Sequence, residues 1–124
     1  MTTTLRARPT TYKGIAMRSR LEARVAGELD AGGDAWVYEP RAYANEGGQY
    51  LPDFEITDRA LPMFIEVRPT YESGLPARER MAIIWDSEPS AVLVVMTADG
   101  WYLVAMGHDR VWTEHRHAAL GFAG

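Results

Sequence analysis

The sequence predicts an α/β domain with a mixed central sheet flanked by helices. One observation is size, because 124 residues with 47% hydrophobic and 24% charged side chains have the composition of a globular chain with one hydrophobic core. The other is the order of its periodic segments: a helix, a run of short strands, a second helix and further strands. Residues 1–12 are rich in Thr and Arg and show no periodicity. We therefore expect a flexible N-terminal arm over residues 1–12 and one domain over residues 13–124.

The first helix is indicated by an apolar stripe that recurs at every fourth position. The stripe consists of Met17, Leu21, Val25 and Leu29. It begins after Gly14, and the glycines that follow Ala31 are typical of a helix end. The spacing predicts an amphipathic helix over residues 14–31.

Short segments rich in aromatic and β-branched residues come next and predict strands. They span residues 35–39, 42–44, 50–56 and 63–68. The sequence Asn-Glu-Gly-Gly at residues 45–48 is a turn signal, so the second and third strands are expected to form a hairpin.

The remaining elements follow from proline positions and apolar runs. Pro76 is at a favourable position for a helix start, which predicts a second helix over residues 76–85. Residues 91–96 form a continuous apolar run typical of a buried strand, and a turn at residues 98–100 leads to a strand over residues 101–106. A short strand at residues 111–113 and a helical tail are expected to end the chain.

Three charged residues are predicted to meet on two neighbouring strands. The period of two in a strand places Glu66 and Arg68 on one face. Asp53 lies on the preceding strand, and a short connection would make the two strands antiparallel neighbours. Carboxylates that lie close together repel each other unless a hard cation lies between them, and Mg²⁺ prefers such oxygen ligands. The sequence therefore indicates a candidate metal site.

These residues also resemble a known motif. Pro52-Asp53, followed after a twelve-residue gap by Glu66-Val67-Arg68, resembles the bipartite signature of the PD-(D/E)XK nuclease superfamily, with Arg where that superfamily usually has Lys. Further segments look like the small phage and transposon endonucleases of that superfamily, TnsA-like proteins among them. The resemblance covers about residues 12–106 and implies a restriction-endonuclease-like αβββαβ core. The segments are Tyr12-Lys13-Gly14, Arg18 to Arg24, Tyr38-Glu39-Pro40 and Tyr50 to Phe54.

The resemblance implies a metal-dependent endonuclease that hydrolyses DNA phosphodiester bonds with Mg²⁺ or Mn²⁺. Asp53 and Glu66 would bind the metal, and the Val67 carbonyl would complete its coordination. Glu22, on the first helix, would be an additional ligand. Arg68 stands at the lysine position and would stabilise the transition state electrostatically.

Each residue also has a simpler interpretation. Glu22 lies four residues after Arg18, so an exposed ion pair on a helix would explain it. Asp53 follows a proline and would suit a turn, while Glu66 and Arg68 would suit a surface pair on an edge strand. Arg68 favours an alternative function, a catalytically impaired nuclease-fold module that binds nucleic acid or a protein partner. The pKa of arginine stays above about 12, so this side chain can supply positive charge but is poorly suited to proton transfer.

The charge distribution bears on partners. The chain carries a net charge of −4, but residues 1–24 carry +5 and the remainder carries −9. We expect Lys13, Arg18, Arg20 and Arg24 to contact the phosphates of a nucleic acid. The expected partner is DNA, with RNA not excluded, and a homodimer or a targeting partner protein is possible in addition.

Composition excludes several other classes. The chain has no cysteine, which rules out disulfides, thiol catalysis and cysteine-ligated zinc. The sequence has no apolar run of the roughly 18 residues that a membrane span needs, and its N-terminus lacks the apolar core of a signal peptide. A cytoplasmic location with no membrane association is the expectation.

Overall fold

The structure is a computed structural model that describes residues 9–117. Three helices and ten strands lie within this range, and the site described below depends on where the central strands end. In chain order the elements are β1 (Thr10–Tyr12), β2 (Ile15–Met17), α1 (Arg20–Ala31), β3 (Trp36–Tyr38), β4 (Tyr43–Asn45), β5 (Gly48–Tyr50), β6 (Phe54–Ile56), β7 (Met63–Arg68), α2 (Tyr71–Met81), α3 (Ile84–Ser87), β8 (Val92–Thr97), β9 (Trp101–Ala105) and β10 (Trp112–Arg116).

A six-stranded sheet in the order β10-β9-β8-β7-β6-β3 forms the centre of the domain. β7 and β8 pair in parallel, while the other neighbouring strands are antiparallel. The parallel pair requires a crossover, which α2 and α3 supply. The predicted fold class, a mixed central sheet flanked by helices, is confirmed.

Side-chain alternation on β7 separates two hydrophobic clusters, one on each face of the sheet. Phe64 packs with Ala77 and Met81 of α2. Ile65 and Val67 pack instead with the apolar stripe of α1. The two faces of one strand therefore hold the two main helices in place.

The predicted start of the first helix is wrong. Residues 10–12 and 15–17 form a β1–β2 hairpin, and Lys13 and Gly14 turn the chain with φ angles of 49° and 81°. Both central residues of a type I′ turn have positive φ, which explains why this two-residue connection forms a hairpin. The helix begins only after Ser19, whose side chain accepts a hydrogen bond from the backbone N–H of Glu22. Part of the predicted arm is therefore strand β1, and residues 1–8 lie outside the described residues.

The second helix begins earlier than predicted and ends sooner. Thr70 and Ser73 form a reciprocal capping box, so α2 starts at Tyr71 and contains Pro76 in its interior. The helix ends at Met81, and the remainder of the predicted segment is divided between a turn and α3.

The hairpin predicted at residues 45–48 is present as β4–β5, a separate two-stranded sheet. The predicted strand over residues 50–56 is divided into β5 and β6, with residues 51–53 between them. The last strand covers Trp112–Arg116 rather than residues 111–113. The predicted helical tail after it lies outside the described residues. Within residues 9–117, no helix combines the length and apolar character that a membrane crossing demands.

Candidate active site

Two carboxylates meet where β6 begins and β7 ends. Phe54 pairs with Ile65 across these antiparallel strands, and continuing that register by one residue brings Asp53 opposite Glu66. The backbone N–H of Val67 donates a 2.8 Å hydrogen bond to Oδ2 of Asp53. The strand pairing therefore fixes both the position and the orientation of the Asp53 side chain.

A third carboxylate, Glu22, is brought to the same place by the first turn of α1. It is buried, and its Oε1 accepts hydrogen bonds from the backbone N–H of Arg18 at 3.1 Å and from the Tyr38 hydroxyl at 2.9 Å. The side chain of Arg18 pairs instead with Glu39, at 2.9 Å. The interpretation of Glu22 as half of an exposed ion pair with Arg18 is therefore wrong.

Two of the three acids, Asp53 and Glu66, have a raised pKa. Burial, followed by the negative charge of Glu66, raises the pKa of Asp53 to about 9, and the hydrogen bond from Val67 opposes this only in part. The charge of Glu22 and its hydrogen bond with Asp53 raise that pKa further. Burial also raises the pKa of Glu66.

Both oxygens of Glu66 have protein partners. The Tyr50 hydroxyl donates a short hydrogen bond to Oε1, and Nη2 of Arg68 lies 2.8 Å from Oε2. Since Glu66 is buried within β7, the interpretation of this residue as part of an exposed surface pair on an edge strand is wrong.

The chemistry of this donor set fits a hard divalent cation. Carboxylate and carbonyl oxygens are the ligands that Mg²⁺ and Mn²⁺ prefer. The pKa of Asp53 is raised first by burial and then by the charge of Glu66, and a bound cation would favour the charged form against both effects. Within residues 9–117, however, no three or more His, Asp or Glu side chains are gathered as closely as a finished metal centre requires. The structure shows two adjoining pairs that share Asp53, one with Glu66 and one with Glu22.

The four basic residues predicted to contact phosphate lie in different places. Arg20 and Arg24 are exposed on α1, close in sequence to Glu22. Lys13 pairs with Asp30 at 2.9 Å. Asp30 lies eight residues beyond Glu22 on α1, about 12 Å along the helix axis at 1.5 Å per residue. The structure therefore does not bring Lys13 to the acids, because the β1–β2 turn docks at the far end of α1.

Three residues that the sequence analysis did not assign to the site contribute to it. Tyr38 and Tyr50 donate hydrogen bonds to Glu22 and Glu66, and the positive charge of Arg80, on α2, opposes the raised pKa of Glu66. The tyrosines lie within segments that carry the family resemblance. Their position in apolar, strand-like segments indicates only core packing, so no local pattern marks their hydroxyl groups.

Comparison with known proteins finds similarity to a solved structure. No protein-family model and no curated protein matches the chain. Among solved structures, the chain is similar to Hjc, a Holliday junction resolvase from the archaeal hyperthermophile Archaeoglobus fulgidus. The two share 14% sequence identity over 82% of this chain and 89% of that chain, with a TM-score of 0.45.

Proposed function

We propose that this protein is a divalent-metal-dependent endonuclease that hydrolyses phosphodiester bonds in DNA. One observation carries the proposal: Asp53 lies beside both Glu66 and Glu22 at one end of the central sheet, although burial and the neighbouring carboxylates raise the pKa of Asp53 and burial raises that of Glu66. A stable fold has no use for such an arrangement, whereas a site that attracts a cation requires it.

In the proposed site, Asp53, Glu66 and the Val67 carbonyl hold Mg²⁺ or Mn²⁺, with Glu22 as an additional ligand. Bound there, the cation supplies an activated water for attack on phosphorus and neutralises charge on the phosphate. The chain's own contribution is to orient the acids, since the Val67 N–H fixes Asp53 and the β6–β7 pairing fixes the spacing of the carboxylates. Arg68 lies next to Glu66 and supplies the positive charge that stabilises the transition state.

The substrate approaches from the side where cations flank the acids. Arg20 and Arg24 are exposed on α1, and Arg80 is exposed on α2. Since α1 and α2 lie on opposite faces of the sheet, these side chains place positive charge on both sides of the carboxylates. A DNA backbone that crosses the end of the sheet would have its phosphates contacted from both helices.

The test compares cleavage by the parent with that by two isosteric variants, Asp53→Asn and Glu66→Gln. Supercoiled plasmid, a branched duplex and an RNA hairpin are each incubated with Mg²⁺ or Mn²⁺. We expect cation-dependent cutting of DNA by the parent and a loss of about 100-fold or more in each variant. Glu55→Gln is the matched control, because it removes a half-buried carboxylate from β6 outside the site. Parent-like cutting by either site variant would overturn the assignment.

The contact between Arg68 and Glu66 favours a second candidate function, a nuclease-fold module that binds nucleic acid without cutting it. In this case the guanidinium serves as the permanent cation of Glu66. The cleavage experiment, combined with measurements of DNA binding and Mn²⁺ binding by the parent, separates the two functions. A parent that binds DNA tightly, binds no Mn²⁺ and cuts none of the three substrates would be the binding module.

A further inference from the structure

The three acids share one feature of their hydrogen bonding. One oxygen of each carboxylate is held by an uncharged donor of the protein. For Asp53 the donor is the backbone N–H of Val67. For Glu66 it is the hydroxyl of Tyr50, and for Glu22 it is the hydroxyl of Tyr38 together with a backbone N–H.

The tyrosine rings are fixed by packing that does not involve the acids. Tyr50 is the last residue of β5, lies opposite Tyr43 in the hairpin register and is only 6% exposed within the hydrophobic cluster on the α2 face. Tyr38 lies on β3, and its ring centroid is 5.5 Å from that of Phe54. Two elements with no other role in the site, the β4–β5 hairpin and the edge strand β3, therefore each deliver one hydroxyl to one acid.

Uncharged donors suit a cation site better than charged ones would. A hydrogen bond from a neutral hydroxyl orients a carboxylate without cancelling the negative charge that attracts the cation. A phenolic hydroxyl is protonated at neutral pH, so both tyrosines can act as donors to their acids. Arg68 is the exception, because it places positive charge directly on Glu66.

We propose that Tyr50 and Tyr38 are positioning residues of the cation site: each holds one oxygen of its acid and so fixes the orientation in which that carboxylate meets the metal ion. This inference rests on the proposed function. Tyr50 is the more important of the two, because among residues 9–117 it supplies the one uncharged donor to Glu66, whereas Glu22 retains the backbone N–H of Arg18 when Tyr38 is changed.

Calorimetric titration of the full chain with Mn²⁺ tests the proposal. We expect Tyr50→Phe to bind Mn²⁺ about 10- to 100-fold more weakly than the parent. Tyr38→Phe should also bind Mn²⁺ more weakly than the parent, but with a smaller loss of affinity. Tyr43→Phe is the matched control. It removes a hydroxyl from the same hairpin and from a ring of similar burial, but that hydroxyl interacts with Arg41 rather than with an acid of the site. We expect this control to bind Mn²⁺ as the parent does.

A second measurement separates positioning from a merely structural role. Thermal unfolding in EDTA reports the structural cost of each lost hydroxyl, and Mn²⁺-dependent cleavage gives the cation concentration for half-maximal rate. Positioning predicts that this concentration rises by the same factor as the calorimetric Kd.

If Tyr50→Phe is less stable but binds Mn²⁺ as tightly as the parent, the inference is overturned and the proposed function stands. If the parent itself binds no Mn²⁺, both are overturned. Should Tyr50→Phe not fold, Tyr38→Phe decides by the same criteria.

Discussion

Arg68 and Glu66, two residues apart on β7, are joined by a 2.8 Å ion pair between Nη2 and Oε2. In the part of the chain that the structure describes, Nε of Arg68 is buried and has no hydrogen-bond partner. A buried donor without a partner costs about 1–3 kcal/mol. The guanidinium therefore pairs with Glu66 through Nη2 while its Nε stays buried without an acceptor among residues 9–117. A shorter list of donors at residue 68 would remove this unpaired group.

We expect Arg68→Lys to cleave DNA about tenfold faster than the parent, a change of about 1.4 kcal/mol in the activation free energy. An ammonium group is compact, has no counterpart of the buried Nε, and can orient a water molecule as well as supply charge. Single-turnover cleavage at saturating Mn²⁺ measures the effect, with Arg68→Ala as the control that removes the charge. A lysine variant slower than the parent would show that the fork geometry of arginine is required.

The stability of the cation-free protein should fall as the pH rises from 5 to 9. The pKa of Asp53 is raised from 3.8 to about 9 in the folded chain, so the folded state binds more protons than the unfolded state between these values. The stabilisation that Asp53 contributes is fully present below its pKa in the unfolded chain. It is lost as the pH rises through its pKa in the folded chain. Scanning calorimetry in EDTA measures the effect as a decreasing Tm.

Asp53→Asn is the control for this pH dependence, because it removes the titrating group while preserving its shape. We expect its Tm to exceed that of the parent at pH 8 and to vary less between pH 5 and 9. Asp30 does not mask the effect, since hydrogen bonds from Tyr12 and Lys13 lower its pKa to about 2 and its contribution is lost only in more acidic solution. A parent Tm that rises over this window would contradict the assigned electrostatics.

Two helical glycines should respond to alanine in opposite directions. A Cβ at Gly74, on α2, would lie 3.0 Å from Cγ1 of Val95 and 3.4 Å from Cγ2 of Thr97, whereas a Cβ at Gly27, on α1, would meet nothing closer than 3.9 Å. We expect Gly27→Ala to stabilise the protein by about 0.5–1 kcal/mol through helix propensity. Gly74→Ala should destabilise it by about 1–3 kcal/mol, because the added methyl group would lie closer to Val95 than ordinary van der Waals contact and the packing between α2 and β8 would have to shift. Urea unfolding measures both, and stabilisation by Gly74→Ala would show that α2 can shift away from β8.

The sequence predicted the layers of the fold because the strongest periodicities belong to buried elements. The apolar run at residues 91–96 and the alternation around Glu66 both become central strands. Helix starts were predicted less well, since local capping decides them. Met17 fits the helical stripe and is buried, yet it belongs to β2, because positive φ angles at Lys13 and Gly14 form a hairpin before Ser19 caps the helix.

The candidate site shows the same division between local and tertiary information. Alternation and a short connection were enough to predict that Asp53 and Glu66 meet. The contributions of Tyr38 and Tyr50 depend on how β3 and the β4–β5 hairpin pack against the central strands, which no spacing along the chain encodes. Lys13 was grouped with the other cations by sequence proximity alone, and the hairpin places it beside Asp30 instead.

Replacing Arg20 and replacing Lys13 should affect DNA binding differently, although each removes one positive charge. Arg20 is exposed at the first position of α1, two residues before Glu22, so we expect it to contact a phosphate of DNA at the site. Each such contact contributes about 0.9 to the slope of log K against log salt concentration. Arg20→Ala should reduce the slope by about this amount, whereas Lys13→Ala should leave it unchanged, because Lys13 is paired with Asp30 about 12 Å along the helix. Fluorescence anisotropy of a labelled duplex in EDTA, between about 50 and 200 mM salt, measures both slopes. Each slope tests whether the replaced residue contacts a phosphate. Equal slopes for the two variants would show that DNA does not approach α1 at its N-terminal end.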